Sequence, residues 1–317
     1  MSPPDDLEQL AKEAVKRVVL ASAPEIAADL KRFWDEYAPY CTLVDDRPGV
    51  TLDAGPCGIV RFSHRTMLQF WLLSFASWKA LDAYMMILQL TKSADGHIRL
   101  RTADLDTVPG QPEANADYAE AIARIKHLNQ LQDISAFPWP PSVPYPSAAS
   151  SLASPPDRAA YDLACIATGF AFLHEMQHIR LRAKNSPADP IDEELECDRF
   201  ARETLLEQTA QYAAANAYSE EAVRIKRSLG IALSLYYGLV LTPATNRRGS
   251  KTHPPTARRF LDLLTAIGDL PPGALFWSWL SSVLAAHLKL EGNLPLELDA
   301  ESDKALCFQL VDVIGIS

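Results

Sequence analysis

The chain has 317 residues, 48% of them hydrophobic, so it can bury a substantial core as one large domain or two modest ones and is not a disordered protein. A net charge of -10 and a pI near 5.2 exclude a general nucleic-acid or anionic-membrane surface. The five cysteines lack paired spacing and suit reduced thiols, and the start, MSPPDDLEQL, lacks the basic and apolar regions of a signal peptide, so the expected location is cytoplasmic.

Residues 7–37 place charges among leucine, alanine and valine at helical spacing and predict one or two amphipathic helices. From 41 to 62 short apolar alternations are punctuated by Asp45-Asp46-Arg47-Pro48-Gly49 and Ala54-Gly55-Pro56, which predicts strands with tight turns. An edge of such a sheet would have unpaired donors and acceptors to offer an extended peptide. Ser63 caps the run 64–91, so apolar that a helix there belongs in the centre of a domain. After the turn Ser93-Ala94-Asp95-Gly96, residues 97–101 read as a strand and 114–132 as a helix.

Residues 137–156 are rich in proline and serine around Trp139 and Tyr145 and read as an extended, partly exposed linker. Pro141-Ser142-Val143-Pro144 fits PxxP but is read as plain linker. The linker divides the chain into residues 1–150, an accessory region of helices and short strands, and 151–317, a helical region that carries the chemistry.

That chemistry lies in 172–198, FLHEMQHIRLRAKNSPADPIDEELECD. His174, Glu175 and His178 stand as HExxH, and in a helix the two histidines project from one face a turn apart, a metal-ligand spacing. Glu175 would sit beside a reacting water without binding the metal. Ser154-Pro155-Pro156-Asp157 starts that helix and Asn185-Ser186-Pro187 stops it. Asp189-Pro190-Ile191-Asp192-Glu193 then starts another, which makes an antiparallel hairpin. If the hairpin turns about Ser186, equal rise in both arms sets Glu194 opposite His178 and Asp198 opposite His174. Glu194 is therefore assigned to the metal and Asp198 to a hydrogen bond that orients His174. Glu193 points about 100° away and Glu196 nearly backward. Cys197, on Glu193's face, is a softer rival ligand. Two imidazoles and one carboxylate suit Zn2+ with an open position. The bland reading is an accidental HExxH on a solvated helix; with seven histidines in the chain, that coincidence followed by ExxxD at hairpin distance is rare.

Residues 200–215 are expected to continue the second helix, and 219–241 to form another. The uncharged stretch 228–246 is nearly long enough to span a bilayer, but its glycines, proline and hydroxyl residues favour a buried core helix. Arg247, Arg248 and Lys251 read as a solvated loop. In Thr252-His253-Pro254-Pro255-Thr256-Ala257-Arg258-Arg259-Phe260 the prolines start a helix, hold His253 extended at its mouth and place Arg259 further in; His253 could also be a helix cap without chemistry. Phe276, Trp277, Trp279 and Leu280 are helical core. His64, His97, His127 and His287 have no partners in sequence and read as structural or exposed.

HEMQH, Glu194 with Asp198 as ExxxD, and HPPTARR resemble, in that order, the motifs of M48-type peptidases. Their spread over a chain of this length, with EELECDRFA after the hairpin, is more similar to the Lit-type phage-exclusion peptidases of family U49, with the resemblance spanning residues 155–265. It implies an α+β fold, mainly α with a small β hairpin or sheet, around a zincin-like (gluzincin) helical core. It also implies a cytosolic zinc endopeptidase with His174, His178 and Glu194 as ligands, Glu175 as general base and Asp198 behind them. His253 and Arg259 match positions that stabilise the site or the developing oxyanion. The implied partner is a protein substrate, with elongation factor Tu as the suggested target, and neither nucleic acid nor membrane is expected. Two alternatives stay open: a zinc-stabilised interaction or sensor module without proteolysis, and a membrane-associated M48-like quality-control peptidase.

Overall fold

The computed structural model describes residues 5–55, 58–146, 152, 154–184 and 189–316. The one or two helices expected over 7–37 are two, α1 (Asp5–Ser22) and α2 (Ala27–Tyr37), separated at Pro24, which has no backbone donor. A three-stranded sheet follows, β1 (Cys41–Leu43), β2 (Leu52–Ala54) and β3 (Val60–Phe62); β3 is central, parallel to β1 and antiparallel to β2. Gly55 N–H donates to Ile59 O at 3.0 Å and Ser63 N–H to Thr51 O at 3.1 Å. Those residues therefore face β3, and by strand alternation Leu52 and Ala54 turn their backbone groups outward along the edge. The expected turn at Pro56 lies outside the described residues.

Ser63 caps α3 (His64–Leu90) by accepting the Thr66 N–H at 3.3 Å. Then come β4 (Ile98–Arg101), α4 (Thr102–Leu105) and α5 (Gln111–Gln130). Part of the proline-rich segment is strapped to α3, since the Trp71 indole donates to Pro144 O at 2.8 Å while Trp139 donates to Val143 O at 2.7 Å. The remainder is helical but for one strand: α6 (Pro155–Ala183), α7 (Pro190–Leu206), α8 (Thr209–Asn216), α9 (Glu220–Leu241), α10 (Thr256–Ala266), α11 (Leu275–Leu290), β5 (Glu297–Ala300) and α12 (Asp303–Ile316). Two features differ from the sequence expectation. The helix expected to run on through 215 breaks between Leu206 and Thr209, where the Thr209 hydroxyl donates to Leu206 O at 3.1 Å. β5 completes an antiparallel pair with β4, Ile98 opposite Ala300, from the far end of the chain.

The mainly helical fold places α6 at its centre, packed against α1, α3, α7 and α9. The back of α6 buries Phe172, Leu173 and Met176 completely, each worth roughly 1.5–3 kcal/mol, and Phe172 meets Phe62 of β3 edge to face at 5.3 Å. Gly230 lets α9 approach α6 closely, because a Cβ there would collide with the Ile166 side chain. The uncharged run in α9 is core, with Ile231, Leu233, Tyr236 and Leu239 buried. Among the described residues no helix is long and apolar enough to cross a membrane.

Candidate active site

Both arms of the central hairpin begin with caps. Ser154 accepts the Asp157 N–H at 3.1 Å ahead of Pro155 and Pro156, and Asp189 accepts the Ile191 N–H at 2.9 Å ahead of Pro190. The turn expected about Ser186 lies outside the described residues, but α6 and α7 pack side by side and bring their polar faces together. His174 Nε2 and His178 Nε2 stand 3.2 Å apart, and each lies 3.4 Å from a Glu194 carboxylate oxygen. An ion held tetrahedrally at zinc-like distances would separate its ligand atoms by about 3.3 Å, so these three residues fit a small divalent metal. Among the described residues, His174, His178 and Glu194 are the group whose ligand atoms converge in this way, all within 4.8 Å.

The outer ring nitrogens are also occupied. Asp198 lies 2.9 Å from His174 Nδ1, and Glu193 lies 2.6 Å from His178 Nδ1. Glu193 hydrogen-bonds His178 Nδ1, whereas Asp198 is near enough to His174 Nδ1 but off the hydrogen-bonding angle; carboxylates in these places would hold the Nδ1 proton and leave Nε2 for an ion. Glu193 is the neighbour of the candidate ligands that spacing alone passes over. Its Cα does sit about 100° around α7 from Glu194, but a glutamate side chain is long enough to swing back, and a ring with nitrogens on two sides can meet both residues. Cys197 is buried, and burial, reinforced by the surrounding acids, pushes its thiol well above the usual range, which opposes the thiolate a ligand must be.

Asp198 in turn accepts two hydrogen bonds from Arg259, Nε to Oδ2 and Nη2 to Oδ1, both at 2.6 Å. Burial opposes ionisation of Asp198, yet Arg259 and His174 outweigh it and hold the carboxyl well below the ordinary range. Glu194 is depressed in the same way by the two imidazoles and Arg259, against burial. Burial also opposes charge on His174, but Asp198, then Glu194 and Glu175, raise it to about 10. The acids around His174 thus favour positive charge at the cluster, carried by a proton or by a metal ion.

Glu175 stands outside the converging group. Its Oε2 accepts the Ala54 N–H at 2.6 Å, on the outward edge of β2, and burial holds its carboxyl above the ordinary range. One helical turn past His178, Arg182 donates from Nη1 to Ala54 O and Gly55 O, both at 2.8 Å, and its Nε lies 3.3 Å from Glu193. Glu175 and Arg182, seven residues apart, share one side of α6, so the edge strand is tied along that side of the histidine face and β2 runs beside the candidate site.

His253 lies on the rim. Ser250 Oγ accepts its backbone N–H at 3.1 Å, and Nε2 is 3.7 Å from Glu194 with the side chain 67% exposed. Arg259 lies behind the cluster on Asp198. Arg248 and Lys251 are exposed as the sequence suggests, but Arg247 is not part of a solvated loop: it is buried and ion-paired with Glu291, because the chain folds that residue against α11. A cleft of about 590 Å³ connects these groups, bounded by Leu52 and Ala54, the α6 face, His253 and an apolar end at Phe70, Phe170 and Tyr237. The Tyr237 hydroxyl is taken by Gln69 Oε1 at 2.6 Å, so its ring rather than its hydroxyl serves the cleft.

Neither a curated protein nor a solved structure matches the chain significantly. The sequence model of the peptidase U49 family does, over residues 60–280, a span that takes in β3, α3, the hairpin and the His253 loop. That match covers well over half of the 317 residues and implies peptidase activity, so the chain belongs to the peptidase U49 family.

Proposed function

We propose that this U49 peptidase is a zinc-dependent endopeptidase whose cleft cuts an extended segment of a cellular protein. The observation that carries the reading is the division of labour on α6 and α7: three residues converge as ligands while Glu175, adjacent in sequence, stays free of the converging group. Three protein ligands leave an open position, the mark of a catalytic rather than a structural zinc site. When bound, zinc acidifies a water and polarises the scissile carbonyl.

The chain's own groups do the rest. Leu52 offers its outward backbone groups to the peptide and aligns the scissile bond, while Ala54, whose N–H and C=O are held by Glu175 and Arg182, fixes the strand beside α6. Glu175 takes a proton from the attacking water as the new C–O bond forms, then delivers it to the amide nitrogen as the C–N bond breaks. Its carboxyl, raised by burial, suits this two-way transfer. His253 donates to the carbonyl oxygen from the rim. Asp198 and Glu193 position the two imidazoles, and Arg259 positions Asp198. Free thiols at Cys41, Cys165, Cys197 and Cys307 support a reducing, cytoplasmic setting. The likeness to Lit-type peptidases supports a role in phage exclusion with elongation factor Tu as target.

The test is Glu175→Gln against wild type, with zinc content measured alongside newly cut proteins in expressing cells. Cleavage should fall by on the order of 10²–10⁴-fold with zinc retained. A variant that cuts as wild type does removes the mechanism.

A further inference from the structure

The apolar end of the cleft is shaped by one face of α9. Ser234, Tyr237 and Gly238 fall at i, i+3 and i+4, so they share a side of the helix, and all three line the cleft with His174 and Glu175. Glycine is among the poorest helix formers, and its place in a helix interior calls for a reason. At Gly230, eight residues earlier, the reason is packing, because a Cβ would strike Ile166. At Gly238 no such reason exists: a Cβ there meets nothing within 4 Å, and the residue has no positive φ. The missing side chain leaves open space, and that space opens into the cleft.

The walls define what would fill it. Phe70 stacks on Tyr237 with ring centroids 4.1 Å apart, Phe170 is buried beside them, and the Tyr237 hydroxyl is already satisfied by Gln69. Of the other charged groups in the cleft, Arg182 pairs with Glu193, Asp53 with Arg61 and Arg259 with Asp198, while Glu175, Glu194 and His253 gather at the two histidines. A charged side chain entering the recess would lose its hydration and gain no counter-charge, whereas an apolar one would bury its surface against aromatic rings. We propose that the recess at Gly238, walled by Phe70, Phe170 and Tyr237, is the specificity subsite, which seats a bulky apolar side chain next to the scissile bond. The inference rests on the peptidase reading and adds the substrate class to it.

The experiment offers wild type, Gly238→Ala and Gly238→Leu a peptide library randomised around the cut and reads the cleaved bonds by mass spectrometry. Wild type should enrich leucine, isoleucine, methionine or phenylalanine at one position flanking the bond. Gly238→Leu should shift that position to glycine, alanine or serine and lower kcat/KM for the wild-type consensus by on the order of 10–100-fold, with zinc content unchanged. Gly238→Ala should fall between the two. On a Glu175→Gln background the consensus peptide should bind, and the added Gly238→Leu should weaken that binding by a similar factor. Ser234→Leu narrows the same recess from the preceding turn and takes the place of Gly238→Leu should that variant fail to fold. Cleavage without an apolar preference beside the bond, or an unchanged profile in a folded, zinc-loaded Gly238→Leu, overturns the subsite while the peptidase reading stands. A zinc-loaded wild type that cuts neither peptides nor proteins overturns that reading, and the subsite with it.

Discussion

Among the described residues, two chains of imidazole, carboxylate and guanidinium, one at the hairpin and one behind α11, look alike and differ in what the imidazole faces. At the hairpin, His174 leads to Asp198 and then to Arg259, the last two held by paired hydrogen bonds of 2.6 Å. Between α9, α11 and the loop before α10, His287 leads to Glu291 at 3.3 Å and then to Arg247, which grips that carboxylate with both terminal nitrogens. The difference lies in the nitrogen left over. His287 spends Nδ1 on Tyr118, 3.3 Å away, whose hydroxyl bonds that of Tyr236, so the ring is closed off by protein groups. His174 instead aims Nε2 at a second imidazole and a further carboxylate. The protonation preferences diverge accordingly. Burial pushes His287 down, with Glu291 only partly offsetting it, whereas the acids around His174 overcome burial and push it up. A buried His–carboxylate–Arg chain can thus serve packing alone, and it becomes a candidate metal site where a second ring and a further acid converge on the remaining nitrogen.

The sharpest way to break this contrast is to delete one ring from each network. His178→Ala should abolish zinc retention and cleavage together, whereas His287→Ala should keep one zinc per chain, measured by elemental analysis, and lose only thermal stability. Next in size is Glu291→Gln, which leaves a buried Arg247 short of its counter-charge and should cost about 2–4 kcal/mol in chemical denaturation with zinc content unchanged. Glu193→Gln sharpens the comparison from the other side. Removing the acid behind His178 should weaken zinc by about 10–100-fold in a chelator competition, equivalent to about 1.4–2.7 kcal/mol, without unfolding the chain. The smallest effect concerns pH. Because His287 is depressed from 6.5 in the folded state, its share of stability is fully present above pH 6.5 and is lost as the pH falls below that value. Glu291, depressed from 4.5, extends the loss further into acid. Melting of the chelated protein from pH 7 to 5 should fall less steeply in His287→Gln than in wild type; equal slopes would show that this ring does not titrate between the states.

What could be read in the sequence was what helices express locally. Ser154, Asp189 and the prolines after them announce both arms of the hairpin, and the fixed rise of a helix carries Glu194 to the level of the two histidines across an undescribed turn. What escaped depends on reach or on distance along the chain. A helical wheel passes over Glu193 because it gives the direction of Cα–Cβ and ignores the length of the side chain. β5 pairs with β4 across about 200 residues, and nothing in ELDA names its partner. His287 and Glu291 do show an i, i+4 spacing, but Arg247 reaches them only through tertiary packing, so its burial could not be foreseen from a basic loop.

The account rests on one ion shared by α6 and α7, and the direct measurement is zinc per chain after dialysis against a weak chelator, in wild type, Glu175→Gln and Glu194→Ala. One zinc per chain in the first two and its loss in Glu194→Ala is the result expected. Retention of a full equivalent by a folded Glu194→Ala would contradict it.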